Sequence, residues 1–488
     1  TLGVFLDEGE TNSEGQFQYF GAVDAGFNVS SAPGTLNGVP VRGVNDPTGR
    51  GPTTIFVNDF TRKEDQIAVF GELTFDFTDT FSASIGARWY DLDFNLGGST
   101  GSSFGCKGGA PMCDGTGFDN RVSQRHEALG LYNQTGDRSA MDDFFGVANT
   151  DNLIAAVNDG SFNISGLGPD GTANQSDTIL RATLNWSLSD GVMVFGTYSE
   201  GFRPQTTNRN AGAFAGNQTG VYQGYAVPAV AKTDELTNYE IGLKSDILGG
   251  SMRLNATAFW SEITELQTTR FDPSNVAFLV FIENVGDAEI SGIDADLTWA
   301  ATDRWTFNAA FSFVNTELTR INPQLVGVSV PEGSDLPFTP DFSGNLRARY
   351  DWPLNDFGGD AYISGSVAYT GERKASIIGN AYFAEDVTRE VYNVSGTGLK
   401  IAPEGGNFGN LIDPTTGNPF LNGRYVMDAY TLVNLAAGFT KDEWGAELYV
   451  NNVTDEAAQI FINTQDYHPR VTTNRPRSYG LRLFFDFE

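Results

Sequence analysis

Residues 66–77 read QIAVFGELTFDF. Ile67, Val69, Leu73, Phe75 and Phe77 share one parity, and Gln66, Glu72, Thr74 and Asp76 the other. Successive side chains of a strand point to opposite faces, so this spelling makes a strand with one apolar and one polar face. The pattern repeats outward from there. Phe81, Ala83, Ile85, Ala87 and Trp89 oppose Ser82, Ser84, Gly86 and Arg88. Leu180, Ala182, Leu184, Trp186 and Leu188 oppose Arg181, Thr183, Asn185 and Ser187. Met252 to Trp260, Trp305 to Phe313, Trp444 to Val450 and Tyr479 to Phe487 alternate in the same way. About 14 such segments begin near residues 1, 65, 81, 178, 191, 236, 251, 287, 304, 343, 361, 427, 443 and 477, and helical periodicity is almost absent.

The connections alternate in length. Tight polar turns (Thr78-Asp79, Ser189-Asp190-Gly191, Gly249-Gly250, Thr302-Asp303, Lys441-Asp442) take turns with long stretches near 8–60, 96–174, 204–232, 320–338, 373–424 and 453–474. In an antiparallel meander that places every long loop on one rim, the asymmetry of an outer-membrane barrel. The polar face carries mid-strand charge, including Arg88, Arg181, Glu240, Lys244, Asp294, Asp296, Arg347, Arg349 and Arg482, while the apolar face is nearly free of it. Trp89, Trp186, Trp260, Trp305, Tyr350, Tyr369 and Trp444 stand near strand ends, as an aromatic girdle requires. Strands of about ten residues suffice to cross a bilayer at a tilt. A sheet in lipid must close, because an open edge leaves backbone groups without partners. The expected fold is therefore all-β: a transmembrane, antiparallel, up-and-down β-barrel of the outer-membrane type, in one domain over residues 1–488.

Composition agrees by exclusion. Thirty Lys+Arg against 61 Asp+Glu leave a net charge of −31 in 488 residues. That excludes a nucleic-acid partner, since phosphate neutralisation needs clustered cations. No apolar run approaches the 18 or so residues of a membrane helix; Val276 to Ile282 is the longest. Cys106 and Cys113, in CKGGAPMC, are expected to close a small loop disulfide, with free thiols or a metal as the other readings.

Ordered segments then carry a resemblance. LTNYEIGLKSDILGGSMRLNATAFWSE (236–262), NVGDAEISGIDADL (284–297), VFGTYSEGFRP (194–204), AELYVNNVTDE (446–456) and RPRSYGLRLFFDF (475–487) resemble successive barrel segments of TonB-dependent outer-membrane receptors. That family's barrel has 22 strands around an N-terminal plug. Aligning the ends makes the 14 segments resemble the last part of such a barrel, with the plug absent from this sequence. A complete 14-stranded passive channel or porin is the alternative. The resemblance implies location in the bacterial outer membrane and energy-coupled uptake of a scarce ligand such as a ferric siderophore, cobalamin or a glycan. It implies as partners outer-membrane lipid, the TonB complex through the missing plug, and the barrel-assembly machinery, which reads a near-terminal aromatic such as Phe487. No covalent chemistry is implied, and no cofactor.

Ligand contacts are expected where polar and aromatic side chains crowd the long loops. Arg203, Gln205 and Arg209 lie just beyond a strand end, with Tyr222 and Tyr225 in the same loop. Tyr467, His468 and Arg470 form a second cluster. Arginine suits carboxylate or catecholate oxygens, and aromatic rings suit sugars or flat chelates. Ordinary loop packing is the competing reading for both. Asp294 and Asp296, two apart on the polar face, are expected to pair with Arg347 or Arg349 rather than bind calcium. The trio Asp137, Asp142 and Asp143 lacks calcium-loop spacing. Only His126 and His468 are available for a hydrolytic triad, and neither has a Gly-x-Ser-x-Gly beside it, so no enzyme is expected.

Overall fold

Fourteen alternating segments become fourteen strands of one antiparallel sheet, each bonded to its chain neighbours. The structure, a computed structural model, describes residues 1–18, 34–36, 39–41, 54–102, 121–214, 225–271, 280–322, 332–356, 358–375, 426–463 and 470–485. The wall strands are β1 (Leu2–Gln18), β2 (Thr54–Thr78), β3 (Phe81–Ser102), β4 (Ala173–Ser189), β5 (Val192–Arg203), β6 (Asp234–Ile247) and β7 (Met252–Phe271). They continue as β8 (Val280–Ala300), β9 (Trp305–Ile321), β10 (Phe342–Leu354), β11 (Gly359–Thr370), β12 (Tyr430–Lys441), β13 (Trp444–Asn451) and β14 (Ser478–Phe485). β1 and β14 are the two ends of the sheet order and form no ladder with each other.

Tight turns close one rim by local chemistry. Thr78 Oγ1 accepts the Thr80 and Phe81 N–H groups, and Thr302 Oγ1 accepts those of Arg304 and Trp305. A hydroxyl standing in for a backbone acceptor is what favours Thr in such turns. The long connections all leave the opposite rim.

The apolar face of this sheet is bare. Ile241 keeps 68% of its surface exposed and Leu483 71%, and Leu2, Leu73, Phe77, Leu184 and Leu448 stand beside them. Such a band is untenable in water and is what a barrel presents to hydrocarbon. Aromatic rings border it in contact: Tyr198, Tyr239 and Trp260 run in series, and Trp305 meets Phe307 and Tyr350.

On the inward face, aromatic rings lie over glycines of the next strand. Phe70 faces Gly3, Phe195 faces Gly242, Phe259 faces Gly292, Tyr362 faces Gly438, Phe484 faces Gly445 and Tyr449 faces Gly480, each a register pair. A Cβ on Gly242 would come within 2.3 Å of the Phe195 ring, so the ring occupies the space a side chain would take. These pairs pin register across the wall.

Near the short-turn rim a polar belt crosses β10 to β14. Arg349 binds Asp351 at 2.7 Å and lies over the Tyr362 ring. The Tyr362 hydroxyl donates to Glu447 at 2.6 Å, and Arg482 donates to the other Glu447 oxygen at 2.8 Å. The expected pairing of Asp294 and Asp296 with Arg347 or Arg349 is therefore corrected. β10 is two strands away from β8, so the arginines are out of register. Asn255 on β7 serves Asp296 instead, at 3.0 Å.

Strands outrun the bilayer. β2 has 25 residues and β3 has 22, about twice what a tilted crossing takes. Polarity inverts where they leave it. Ile85, Ala87 and Trp89 face out, but beyond them Asp91, Asp93 and Asn95 do, while Tyr90, Leu92, Phe94 and Leu96 turn inward and are buried. β8 repeats this, with Ser291 and Glu289 outward and Ile290 and Ala288 inward against Leu318.

The 96–174 connection is not all loop, which corrects the expectation of almost no helix. It contains α1 (Arg121–Thr135), α2 (Ser139–Phe145) and α3 (Val147–Asn158). α1 buries Val122, Arg125, His126 and Leu129, spaced i, i+3, i+4 and i+7. Val122 packs on Phe94 and Leu96, so α1 lies on the inner side of β3. Gly130 permits a close approach: a Cβ there would stand 1.8 Å from the Gly168 carbonyl oxygen.

Candidate functional site

The long-loop rim is built by side chains that tie strand ends to loops. Asp234, at the start of β6, is buried. Its carboxylate accepts the Arg203 guanidinium, the Arg203 N–H at 3.1 Å and the Gln267 N–H at 3.2 Å. Gln267 in turn donates to the Pro204 and Lys232 carbonyls, both at 2.9 Å. One step along, Asn284 donates to the Lys232 and Glu265 carbonyls and accepts the Lys232 N–H at 2.7 Å. Arg320 closes on Asp287 at 2.6 Å, and the pair holds the Asp287 carboxyl below the usual carboxylate range. Asparagine does the same at the far end. Asn452 donates to the Glu456 and Arg475 carbonyls, while Asn434 and Asn474 accept the Asn452 and Ala458 N–H groups. This is the structural role of the NNVTDE and RPRSY segments: their side chains satisfy backbone groups that no ladder can reach.

Asp234→Asn tests the first tie. It keeps the shape but leaves Arg203 without its counter-ion. The expected loss is about 2 kcal/mol, the scale of a charge-assisted hydrogen bond, with faster amide exchange confined to 203–207, 232–236 and 267. Unchanged exchange there contradicts the clamp.

Behind these ties the loops form a core of their own. Leu129, Met141, Leu153, Phe162, Ile164 and Leu167 from the helical insert close on Ala211, Ala226, Ala229 and Val230. His126 is fully buried, Nε2 2.9 Å from the Asn208 carbonyl oxygen and Nδ1 3.3 Å from that of Leu96. Burial pushes its pKa down to about 4, so it is neutral at pH 7. Arg125 donates to the Ala211 carbonyl and lies over the Phe144 and Phe145 rings.

The expected ligand residues fall unevenly on this scaffold. Arg203 is half engaged, as described. Gln205 is buried and spans to the Asn174 carbonyl at 2.8 Å. Arg209 is partly buried, which lowers its pKa, and Tyr225 is buried against Phe281 and Val227 with its hydroxyl 3.3 Å from Glu283. The structure thus uses Arg203, Gln205 and Tyr225 as packing and hydrogen-bonding groups, each with partners of its own. Tyr222, Tyr467, His468, Cys106, Cys113 and the Arg470 side chain lie outside the described residues. Of the acidic trio, Asp142 binds Arg138 at 2.8 Å and Asp137 accepts the Ser139 N–H.

Two hollows lie along the wall. One of about 790 Å³ lies among Lys63, Asp65, Asp93, Asn95, Asp170 and Asn174, on the outward side of the tall strands. The other, about 520 Å³, includes the lumen-facing Asn255, Thr257, Asp294, Asp296, Ser312 and Asn345.

A family profile described as TonB dependent receptor-like, beta-barrel matches residues 4–453. The chain belongs to that family. TonB-dependent receptor barrels reside in the bacterial outer membrane, which gives the exposed apolar band its solvent. Among curated relatives, the probable TonB-dependent siderophore receptor PiuA of Acinetobacter baumannii is 29% identical over 124 residues, 24% of this chain and 16% of that protein. The metal-pseudopaline receptor CntO of Pseudomonas aeruginosa is 27% identical over 140 residues, 29% of this chain and 18% of that one. The ferric yersiniabactin uptake receptor FyuA of Yersinia pestis shares the fold at a TM-score of 0.54 and 13% identity, covering 89% of this chain and 48% of its own. The ferric-catecholate import receptor Fiu of E. coli does so at 0.50 and 15%, covering 88% and 45%. This chain therefore spans about half the length of such TonB-dependent receptor structures.

Proposed function

We propose that this chain is the C-terminal part of the barrel of a TonB-coupled importer for a ferric siderophore or another metal chelate. The family match over residues 4–453 carries the reading, and the relatives, a siderophore receptor and a metal-pseudopaline receptor, support the ligand class. The unpaired outer edges of β1 and β14 support it. Backbone groups in hydrocarbon need partners, and in this reading further strands of a 22-stranded barrel supply them, around a plug that contacts TonB. A passive 14-stranded channel would instead need β1 paired with β14. Within the proposed receptor, Arg203 and Gln205 hold the rim, and ligand contact falls to loop side chains beyond them. The barrel-assembly machinery inserts the whole.

The test uses the complete gene in cells lacking their own siderophore receptors. Radiolabelled iron offered as siderophore complexes is expected to enter only with an intact TonB complex. Uptake that persists after deletion of the TonB gene overturns the proposal in favour of a passive pore.

A further inference from the structure

Where β2 and β3 rise past the bilayer, their outward side chains change chemistry. Ile67 and Val69 on β2 and Trp89 on β3 are bare, as lipid-facing groups are. Above them, outward by parity, come Asp65 and Lys63 on β2, Asp91, Asp93 and Asn95 on β3, and Asn174 on β4. Asp93 stands four residues beyond Trp89. That is about 13 Å along the strand, which puts the patch just outside the aromatic girdle.

The patch is hollow rather than flat. Its cavity of about 790 Å³ has the size of a small-molecule site. Wall strands line it together with Gly168, Asp170 and Thr172 of the segment that leads into β4. That segment is tied down. Asn95 donates to the Thr172 hydroxyl at 3.2 Å, and the Thr172 N–H donates to Asp170 at 3.0 Å. The Gly168 N–H donates to the Thr172 carbonyl at 2.7 Å, and Gln134, from the last turn of α1, to the Leu167 carbonyl at 3.2 Å. The hollow is therefore formed before any ligand arrives.

Its polar groups are of both kinds. Asp65 and Asp93 are register partners, and like charges directly opposite are destabilising. Asn174 donates to Asp91 and to Asp93, both at 2.9 Å, which eases one side of the pair. Asp65 has no hydrogen bond or ion pair among the described residues. Lys63 is the only cation lining the hollow among them, and it is shared with Glu10 at 3.4 Å. An anionic ligand is thus repelled. No group of three acidic, histidine or cysteine side chains among the described residues is placed to hold a metal ion. Carboxylate acceptors beside ammonium and amide donors suit the hydroxyl, which donates and accepts at once.

We infer that this hollow is a sugar site. It takes the ring of an uncharged pyranoside, whose neighbouring hydroxyls donate to Asp65 and Asp93 while another accepts from Lys63. The site lies outside the wall, so its ligand is a glycan around the receptor and not cargo in the lumen. Two sources share this chemistry: the saccharide of an outer-leaflet glycolipid, which passes this level, and a free glycan. The inference needs the barrel in the outer membrane and is independent of what the barrel imports.

The test is binding to the purified complete receptor by saturation-transfer NMR. The probes are the methyl glycosides of glucose, galactose, mannose and N-acetylglucosamine, with methyl glucuronide as the anionic control. One or more neutral glycosides should bind, and the glucuronide about tenfold more weakly than glucose's or its best neutral rival, the scale of a hydrogen bond to a charged group. Asp65→Asn keeps the shape, and should weaken the neutral glycoside about tenfold and narrow its lead over the glucuronide. Asp296→Asn, in the lumen, should change neither. The heat-modifiable band on gels reports that each variant is folded. Silence from every neutral glycoside, a glucuronide that binds equally well, or an Asp65→Asn variant that binds as the parent does overturns the inference. A second arm identifies the source. Amide exchange at 63–65, 91–95 and 170–174 is compared in phospholipid vesicles, in vesicles carrying complete lipopolysaccharide, and in vesicles carrying its lipid portion alone. Protection with the complete glycolipid only assigns the site to membrane sugar, and glycoside binding without that protection assigns it to a free glycan. Iron uptake is not read here, so a receptor that imports ferric complexes but binds no sugar loses this site alone.

Discussion

Arginine in place of Leu184 will destabilise the folded wall by about 2–4 kcal/mol, whereas arginine at the adjacent Thr183 will cost less than about 0.5 kcal/mol. Leu184 is the middle residue of the outward set 180–188 on β4 and half exposed to what must be hydrocarbon. A guanidinium there leaves water for the centre of the bilayer. Thr183 is one residue away but on the other face, its hydroxyl 3.4 Å from that of Thr197, and two residues along that face from Arg181. An added arginine at that position meets the aqueous lumen. Urea unfolding of the complete receptor in phospholipid vesicles, followed by the heat-modifiable band on gels, reads both costs. Equal costs at the two positions would mean that the faces have been assigned wrongly.

The second large effect is acid release of the helical insert. His126 titrates near 6.5 in an unfolded chain and at about 4 in place, because burial disfavours its charged form and Arg125 adds to the penalty. Between those values the unfolded segment binds more protons than the folded one, so stability falls as pH falls through this window. It is complete above about 6.5 and lost by about pH 4. The gap amounts to about 3 kcal/mol. The groups facing the ring are the Leu96 carbonyl from β3, the Asn208 carbonyl from the 204–214 loop and the Arg125 guanidinium from α1 itself. Amide protection in α1 to α3, the exchange rate corrected for the intrinsic rate at each pH, should therefore fall from pH 6.5 to 4, while protection in the membrane span stays constant. His126→Gln removes the titrating group, and its protection profile should be nearly flat over the same range. A parent profile as flat as that of the variant would contradict the assignment.

Expected strand starts and observed ones coincide to within about two residues at most positions. The larger departures, at β2, β4 and β8, have one cause. Near residues 65, 178 and 287 the lipid-facing alternation ends, but the backbone ladder does not. Beyond Trp89 the inward face becomes the apolar one, so a pattern tuned to hydrocarbon stops at the membrane surface while the strand continues into water. The helices were hidden for a related reason. The buried face of α1 is Val122, Arg125, His126, Ala128 and Leu129, which has helical spacing but two polar members among five. Its polar members are buried because β3 and the 204–214 loop offer them carbonyl oxygens. The ligand side was the least legible. Arg203 and Gln205 read as loop polar groups in the chain, but in the fold they bond the Asp234 carboxylate, the Gln175 side chain and the Asn174 carbonyl, all on strands 30 or more residues away.

Two things about this protein follow from residue order alone: a fourteen-strand meander with one lipid face, and a rim that carries every long loop. Both rest on parity and turn chemistry, which are local and repeat every two residues. Which side chains meet across that rim was decided only in the folded sheet. There register sets each Asp, Asn and Arg opposite a particular carbonyl, and packing buries His126.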